Sequence, residues 1–124
     1  MSTGRYVRVD QAGDSLVVAP LFTFARFAEA DLAGEWKQLQ QRLSSPDVRN
    51  VVVDLGEIPY FGSTVLDWIV QMWRRVKANG GQLAACNCSP IGREVLSAAK
   101  FDKLFEVYAT REQALAALEP VSDS

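Results

Sequence analysis

Few side chains in this 124-residue chain can move a proton, hold a metal or attack an electrophile. The absence of histidine removes Ser-His-Asp and Cys-His nucleophile activation, histidine general-base catalysis and most transition-metal sites together. Asp54 and Glu57 stand three residues apart near a strand end, where catalytic carboxylates can occur. Neither a histidine nor a phosphate-cradling loop accompanies them, since Gly80-Gly81 precedes a strand rather than a helix. Cys86 and Cys88 form a C-x-C pair that supplies too few ligands for a closed zinc site, and both read as reduced structural thiols. What remains is a hydroxyl pair, Ser63 and Thr64, inside the run Tyr60-Phe61-Gly62-Ser63-Thr64-Val65-Leu66. This inventory predicts no enzyme, no cofactor and no metal, and it turns attention to whatever holds Ser63.

The chain has room for one domain with one core. Its 48% hydrophobic and 23% charged content is ordinary for a globular protein, and a formal net charge of -2 gives no basic footprint for nucleic acid. Residues 1–10 lack the apolar stretch of a signal peptide. No apolar run reaches the roughly 20 residues that a membrane-spanning helix needs. A cytoplasmic domain without direct membrane insertion is expected, over residues 1–119, with 120–124 as a loose tail after Pro120.

The elements follow from periodicity and punctuation. Residues 5–10 and 16–19 are β-prone runs around Gln11-Ala12-Gly13-Asp14, which predicts a hairpin. Leu32, Trp36, Leu39 and Leu43 form the stripe of an amphipathic helix, with Asp31, Glu35, Gln38 and Arg42 turned to water. Val51, Val52 and Val53 suit a strand covered on both faces. A long helix begins near Ser63, with Leu66, Ile69, Val70, Trp73 and Val76 as its core stripe, and Asn79-Gly80-Gly81 ends it. Residues 82–86 make another strand. Ser89-Pro90 opens a helix with a hydroxyl cap and proline at its first position, and Ile91 is expected among the residues that this helix turns inward. Residues 104–108 form a last strand, and Thr110-Arg111-Glu112-Gln113 has the spacing of a capping box for a final helix. The fold class is therefore α/β: a mixed sheet of about five strands, entered by a hairpin and packed with about four helices.

Three pieces of this pattern resemble the STAS family, best known from bacterial anti-sigma factor antagonists. The first is the valine-rich strand, an acidic residue and the loop into Tyr60-Phe61-Gly62-Ser63-Thr64-Val65-Leu66, similar to the family's aromatic/apolar–D-S-[ST]-[GA]-L. The second is Asn79-Gly80-Gly81-Gln82-Leu83. The third is Ser89-Pro90, then Val95-Leu96, then Phe101 to Phe105 as F-x-x-L-F. The resemblance implies a regulatory interaction module acting by partner exchange, in which a kinase that is also the anti-sigma factor phosphorylates the motif serine, here Ser63. That partner would be an ATP-binding protein of the histidine-kinase-like type. Two positions depart from the motif. Gly62 stands where the family usually has aspartate, and Val65 where it has glycine or alanine.

At the start of a helix, the Ser63 hydroxyl can cap a free N–H two or three residues on, and a phosphate there would meet the positive end of the helix dipole. Gly62, Ser63, Thr64, Val65, Trp68 and Met72 are expected to form the partner surface, since Val65 and Met72 flank the core stripe and Trp68 points nearly away from it. The competing expectation is that Trp68 lies against a neighbouring helix or closes a homodimer. Phe22, Phe24 and Phe27 read as core or first-helix packing, and Arg5 and Arg8 as charges protecting an edge hairpin. Two alternatives share the fold: the STAS accessory subunit that sits on the ATPase of a bacterial lipid transporter, and a small-ligand-binding STAS domain.

Overall fold

The hairpin, the valine run and the later β-prone segments join into one sheet. The computed structural model describes residues 2–3, 6–21 and 29–118, with side chains from 6–21 and 33–118. The readings placed on Arg5, on Phe22, Phe24 and Phe27 and on residues 120–124 lie outside the described residues, as do the side chains of Asp31 and Leu32. The strands are β1 (Ser2–Thr3), β2 (Val7–Ala12), β3 (Ser15–Pro20), β4 (Asn50–Asp54), β5 (Leu83–Cys86) and β6 (Val107–Tyr108). The helices are α1 (Glu29–Leu43), α2 (Ser63–Ala78), α3 (Pro90–Ala98) and α4 (Arg111–Leu118). The strands lie side by side in chain order; β1, β2 and β3 are antiparallel neighbours, and β3 to β6 run parallel. The five expected strands are present, and two-residue β1 adds a sixth.

Register explains the two layers of core. Because successive strand side chains point to opposite faces, Leu16, Val18, Val51, Val53, Leu83 and Ala85 share one face. They pack there with Leu39 and Leu43 of α1, Ile69, Met72 and Val76 of α2 and Leu96 of α3. Val17, Val52, Ala84 and Cys86 take the other face under Ala114 and Leu118 of α4. The continuous valine run of β4 is thus buried on both sides, as a central parallel strand must be.

Local signals in the chain account for the element ends. The α2 terminus forms a Schellman arrangement: the Gly81 N–H donates to the Val76 carbonyl at 2.7 Å and the Gly80 N–H to Lys77 at 3.1 Å, with Gly80 at φ +78°. Ser89 caps α3 by accepting from the Gly92 N–H at 2.9 Å, and Thr110 caps α4 by accepting from Gln113 at 3.1 Å. The Gln113 side chain reaches back to the Ala109 N–H at 3.2 Å, one residue before the usual capping-box target.

Three expectations need correction. The last strand is shorter than residues 104–108. Phe101 and Phe105, four apart, turn together into the core as an edge-to-face pair at 6.1 Å, so a 3-10 turn over Phe101–Lys103 precedes a strand of only Val107–Tyr108. Glu35 does not point to water, because its carboxylate accepts the Tyr6 and Val7 N–H groups at 3.1–3.2 Å and ties α1 to the start of β2. The third concerns the face that α2 presents. Its buried residues are Val65, Trp68, Ile69, Met72 and Val76, while Leu66, Val70 and Trp73 are only half-buried. At about 100° per residue the true stripe is rotated by roughly 80° from the expected one.

Candidate functional site

The rotation of α2 decides what its N-terminus can display. Trp68 is 7% exposed and packs on Trp36 in a tilted arrangement with ring centroids 4.8 Å apart, and Val65 and Met72 are buried in the core. These three residues therefore cannot form the expected partner surface. The competing expectation, that Trp68 lies against a neighbouring helix, describes its packing on α1. Val65 occupies space that a glycine or alanine at the same position would leave to its neighbours, so the motif's small residue has become a core residue here.

Of the expected surface, Gly62 and Ser63 are exposed and Thr64 is half-buried. Ser63 is not the cap of α2. The capping residue is Gly62, with an ordinary extended backbone (φ -117°, ψ -153°) and no side chain to accept from the first turn. Ser63 is the first helical residue, and its hydroxyl makes no hydrogen bond among the described residues. A β-carbon built on Gly62 would meet nothing within 4 Å, so the absent carboxylate of the motif is a matter of residue type and not of space.

Two large apolar side chains face outward on the segments around this helix start, and periodicity gave no sign of either. Tyr60, in the loop between β4 and α2, is 68% exposed, and Ile91, in the first turn of α3, is 54% exposed. Their loops are joined: the Ser89 hydroxyl donates to the Pro59 carbonyl at 2.5 Å. Gly92 receives the Phe61 ring so closely that a β-carbon there would stand 3.0 Å from it and 2.7 Å from the Cys88 sulfur. Phe61 is buried and Tyr60 beside it is not, so the loop sends one aromatic ring inward and one outward. The only signal for Tyr60 in the sequence was its place next to the motif. Ile91 was expected to face inward.

Behind this surface, Asp54 ends β4. Its Oδ1 accepts from the Gly56 N–H at 3.0 Å and from Asn87 Nδ2 at 3.1 Å, and its Oδ2 accepts from Arg111 Nη2 at 3.2 Å. Arg111 also faces Asp10 at 3.7 Å. Glu57 pairs at 3.7 Å with Arg8. Asp54 and Glu57 thus pair with different cations, Arg111 and Arg8. Among the described residues no three acidic, cysteine or histidine side chains are placed to hold a metal ion, and no helix is long and apolar enough to cross a membrane.

The C-x-C pair is split by the sheet. Cys86 is buried in the layer under α4 and Cys88 packs against the opposite layer, both as free thiols. Burial, helped by the Asp54 carboxylate, pushes the Cys86 thiol up from 9.0 to about 12. Burial also raises Cys88, against the pull of Arg93. At pH 8 iodoacetamide should therefore label Cys88 slowly and leave Cys86 untouched, with both labelled once the chain is denatured; prompt labelling of native Cys86 would contradict the packing. A thiol that the fold holds protonated contributes stability that is complete below pH 9.0 and is lost as the pH climbs toward about 12.

Comparison with known proteins agrees with this architecture. The STAS domain model matches residues 17–114. An anti-sigma-factor antagonist (STAS) domain protein from Planctomyces limnophilus superposes with a TM-score of 0.77 at 27% identity, covering 90% of this chain and 97% of that one. The Bacillus cell fate determinant SpoIIAA in its phosphorylated form superposes with a TM-score of 0.68 at 14% identity, over 91% of this chain and 99% of that one. BtrV of Bordetella bronchiseptica, a candidate anti-sigma factor antagonist, is 34% identical over 71 residues, which are 57% of this chain and 61% of that protein. Hairpin entry, consecutive parallel strands, an exposed serine opening α2 and a family match over most of the length lead to one statement: the chain belongs to the STAS domain family.

Proposed function

We propose that this domain, over residues 1–119, is a regulatory docking module of the anti-sigma factor antagonist type, acting in the cytoplasm without catalysing a reaction itself. Its partner grips the surface around Ser63, and phosphorylation of Ser63 releases it. The observation that carries this reading is the exposed Ser63 in the first turn of α2, with Tyr60 turned outward in the loop before it and Ile91 turned outward at the start of α3, which is joined to that loop. Large apolar side chains turned to solvent beside a hydroxyl suit a protein partner. A dianion on Ser63 would sit near unpaired N–H groups of the helix start, which the fold tolerates, and would oppose any partner carboxylate or apolar group docked there. The described relatives support the same reading: BtrV by its description as an antagonist, and SpoIIAA by having a phosphorylated form.

The test uses the purified domain as bait, with retained proteins identified by mass spectrometry. Wild type and Ser63→Ala should retain an ATP-binding anti-sigma kinase, and that kinase with ATP should place phosphate on Ser63. Ile91→Asp and Ser63→Glu should each weaken the interaction by about thirtyfold or more, the scale of a central contact. Retention of a transporter ATPase, phosphate on Thr64, or unchanged affinity in both variants would overturn the proposal.

A further inference from the structure

The two loops that display Tyr60 and Ile91 are anchored at their bases by one carboxylate. Asp54 Oδ1 accepts the Gly56 N–H, which turns the chain out of β4, and also the Asn87 side chain, which stands at the exit of β5 with φ +56°. Leu55 donates from its N–H to the Cys86 carbonyl at 3.0 Å, so the two exits run side by side. The other oxygen of Asp54 is held by Arg111, the first residue of α4, on the far face of the sheet from α2 and α3. Arg111 is itself bracketed by Asp10 of β2. Residues 57 positions apart in sequence thereby meet at the root of the docking loops.

We propose that Arg111 is a positioning residue for the docking surface: through Asp54 and Asn87 it sets the geometry of both loops, and so couples α4 to a surface it does not touch. This rests on the docking reading above. A charge-assisted bond to Asp54 fixes the carboxylate rotamer, and with the rotamer fixed both Oδ1 contacts stay aligned. When Arg111 is withdrawn, Asp54 is free to rotate toward water and both exits lose their shared acceptor. Displacement of α4 is then felt at Tyr60 and Ile91 without any change in the residues that form the surface.

The experiment is amide hydrogen exchange by NMR on the free domain, so it needs no partner. Arg111→Met keeps the aliphatic stem and removes both ion pairs. It should speed exchange at Leu55, Gly56 and Ile58 by about tenfold, the loss of one modest interaction, with the strand amides of Val51 and Ala85 unchanged. Arg111→Lys should restore part of the protection. Arg8→Met, which removes the ion pair to Glu57 on the same loop, should leave these amides as in wild type. Unchanged exchange in Arg111→Met, or an equal rise at Val51 and Ala85, overturns the proposal. If Arg111→Met does not fold, the Lys variant decides: no local rise there is equally fatal. The docking reading would survive such a failure, since it is tested by Ile91 and Ser63.

Discussion

Trp68→Ala should destabilise the domain by about 3–5 kcal/mol, the cost of emptying a buried aromatic site. For a chain of this size that is a fall in melting temperature of about 10–20 °C. The whole folding free energy of such a domain is only about 5–15 kcal/mol, so the variant should be marginal at 37 °C. Trp68→Glu should fare worse, because it adds an unpaired buried charge to the cavity. The cause is the rotation of α2. Trp68 lies between the helix and α1, its ring tilted against Trp36, with Val65 and Met72 in the same buried row. Chemical denaturation followed by tryptophan fluorescence checks this. A loss below about 1 kcal/mol would place Trp68 at the surface and return it to the partner-binding set.

Gly81→Ala should cost about 3 kcal/mol or more, at the upper end of overpacking effects. A β-carbon on Gly81 would stand 1.7 Å from the Arg49 carbonyl oxygen and 2.8 Å from its carbon. The obstacle is backbone and cannot rotate away. The end of α2 and the segment entering β4 would have to part, and the Gly81 N–H bond to Val76 would be strained with them. Gly80→Ala provides the comparison. Nothing lies within 4 Å of its β-carbon, but its φ of +78° is one that side chains disfavour, so it should cost about 1–2 kcal/mol. Thermal unfolding of the two variants should therefore rank Gly81→Ala as the more damaging; the reverse order would refute the close approach.

The contrast between these glycines shows which parts of the fold were legible. The turn at Gly80, the caps at Ser89 and Thr110 and the β4 valine run are governed by neighbours within a few residues, and the sequence displays those neighbours directly. The close approach at Gly81 depends on Arg49, more than thirty positions away, and left no local mark. The α2 stripe failed for another reason. Its apolar residues span an arc of about 200° at roughly 100° per residue, so several centres fit the pattern equally. Only the position of α1 selects the one that hides Trp68.

The candidate site was legible to the same extent. Ser63 and Gly62 were located by motif and are exposed, whereas Val65, Trp68 and Met72 were assigned to the surface by a face that the helix does not present. The large apolar side chains that face outward near the helix start are instead Tyr60 and Ile91. A single outward apolar residue has no period, so nothing along the chain distinguishes it from an inward one. The bonds from Asp54 to Asn87 and Arg111 likewise join residues with no shared local pattern.

The vacant space at Gly62 bears on how readily this domain could be retuned. A single purine transition turns any glycine codon into one for an acidic residue, aspartate or glutamate. The backbone at 62 already has angles that any residue adopts, and the new side chain would enter open solvent. One nucleotide therefore separates the present chain from a version carrying the acidic neighbour of the serine, with no repacking required. On the proposed role of Ser63, that codon would adjust recognition by a modifying enzyme while the scaffold stays as it is.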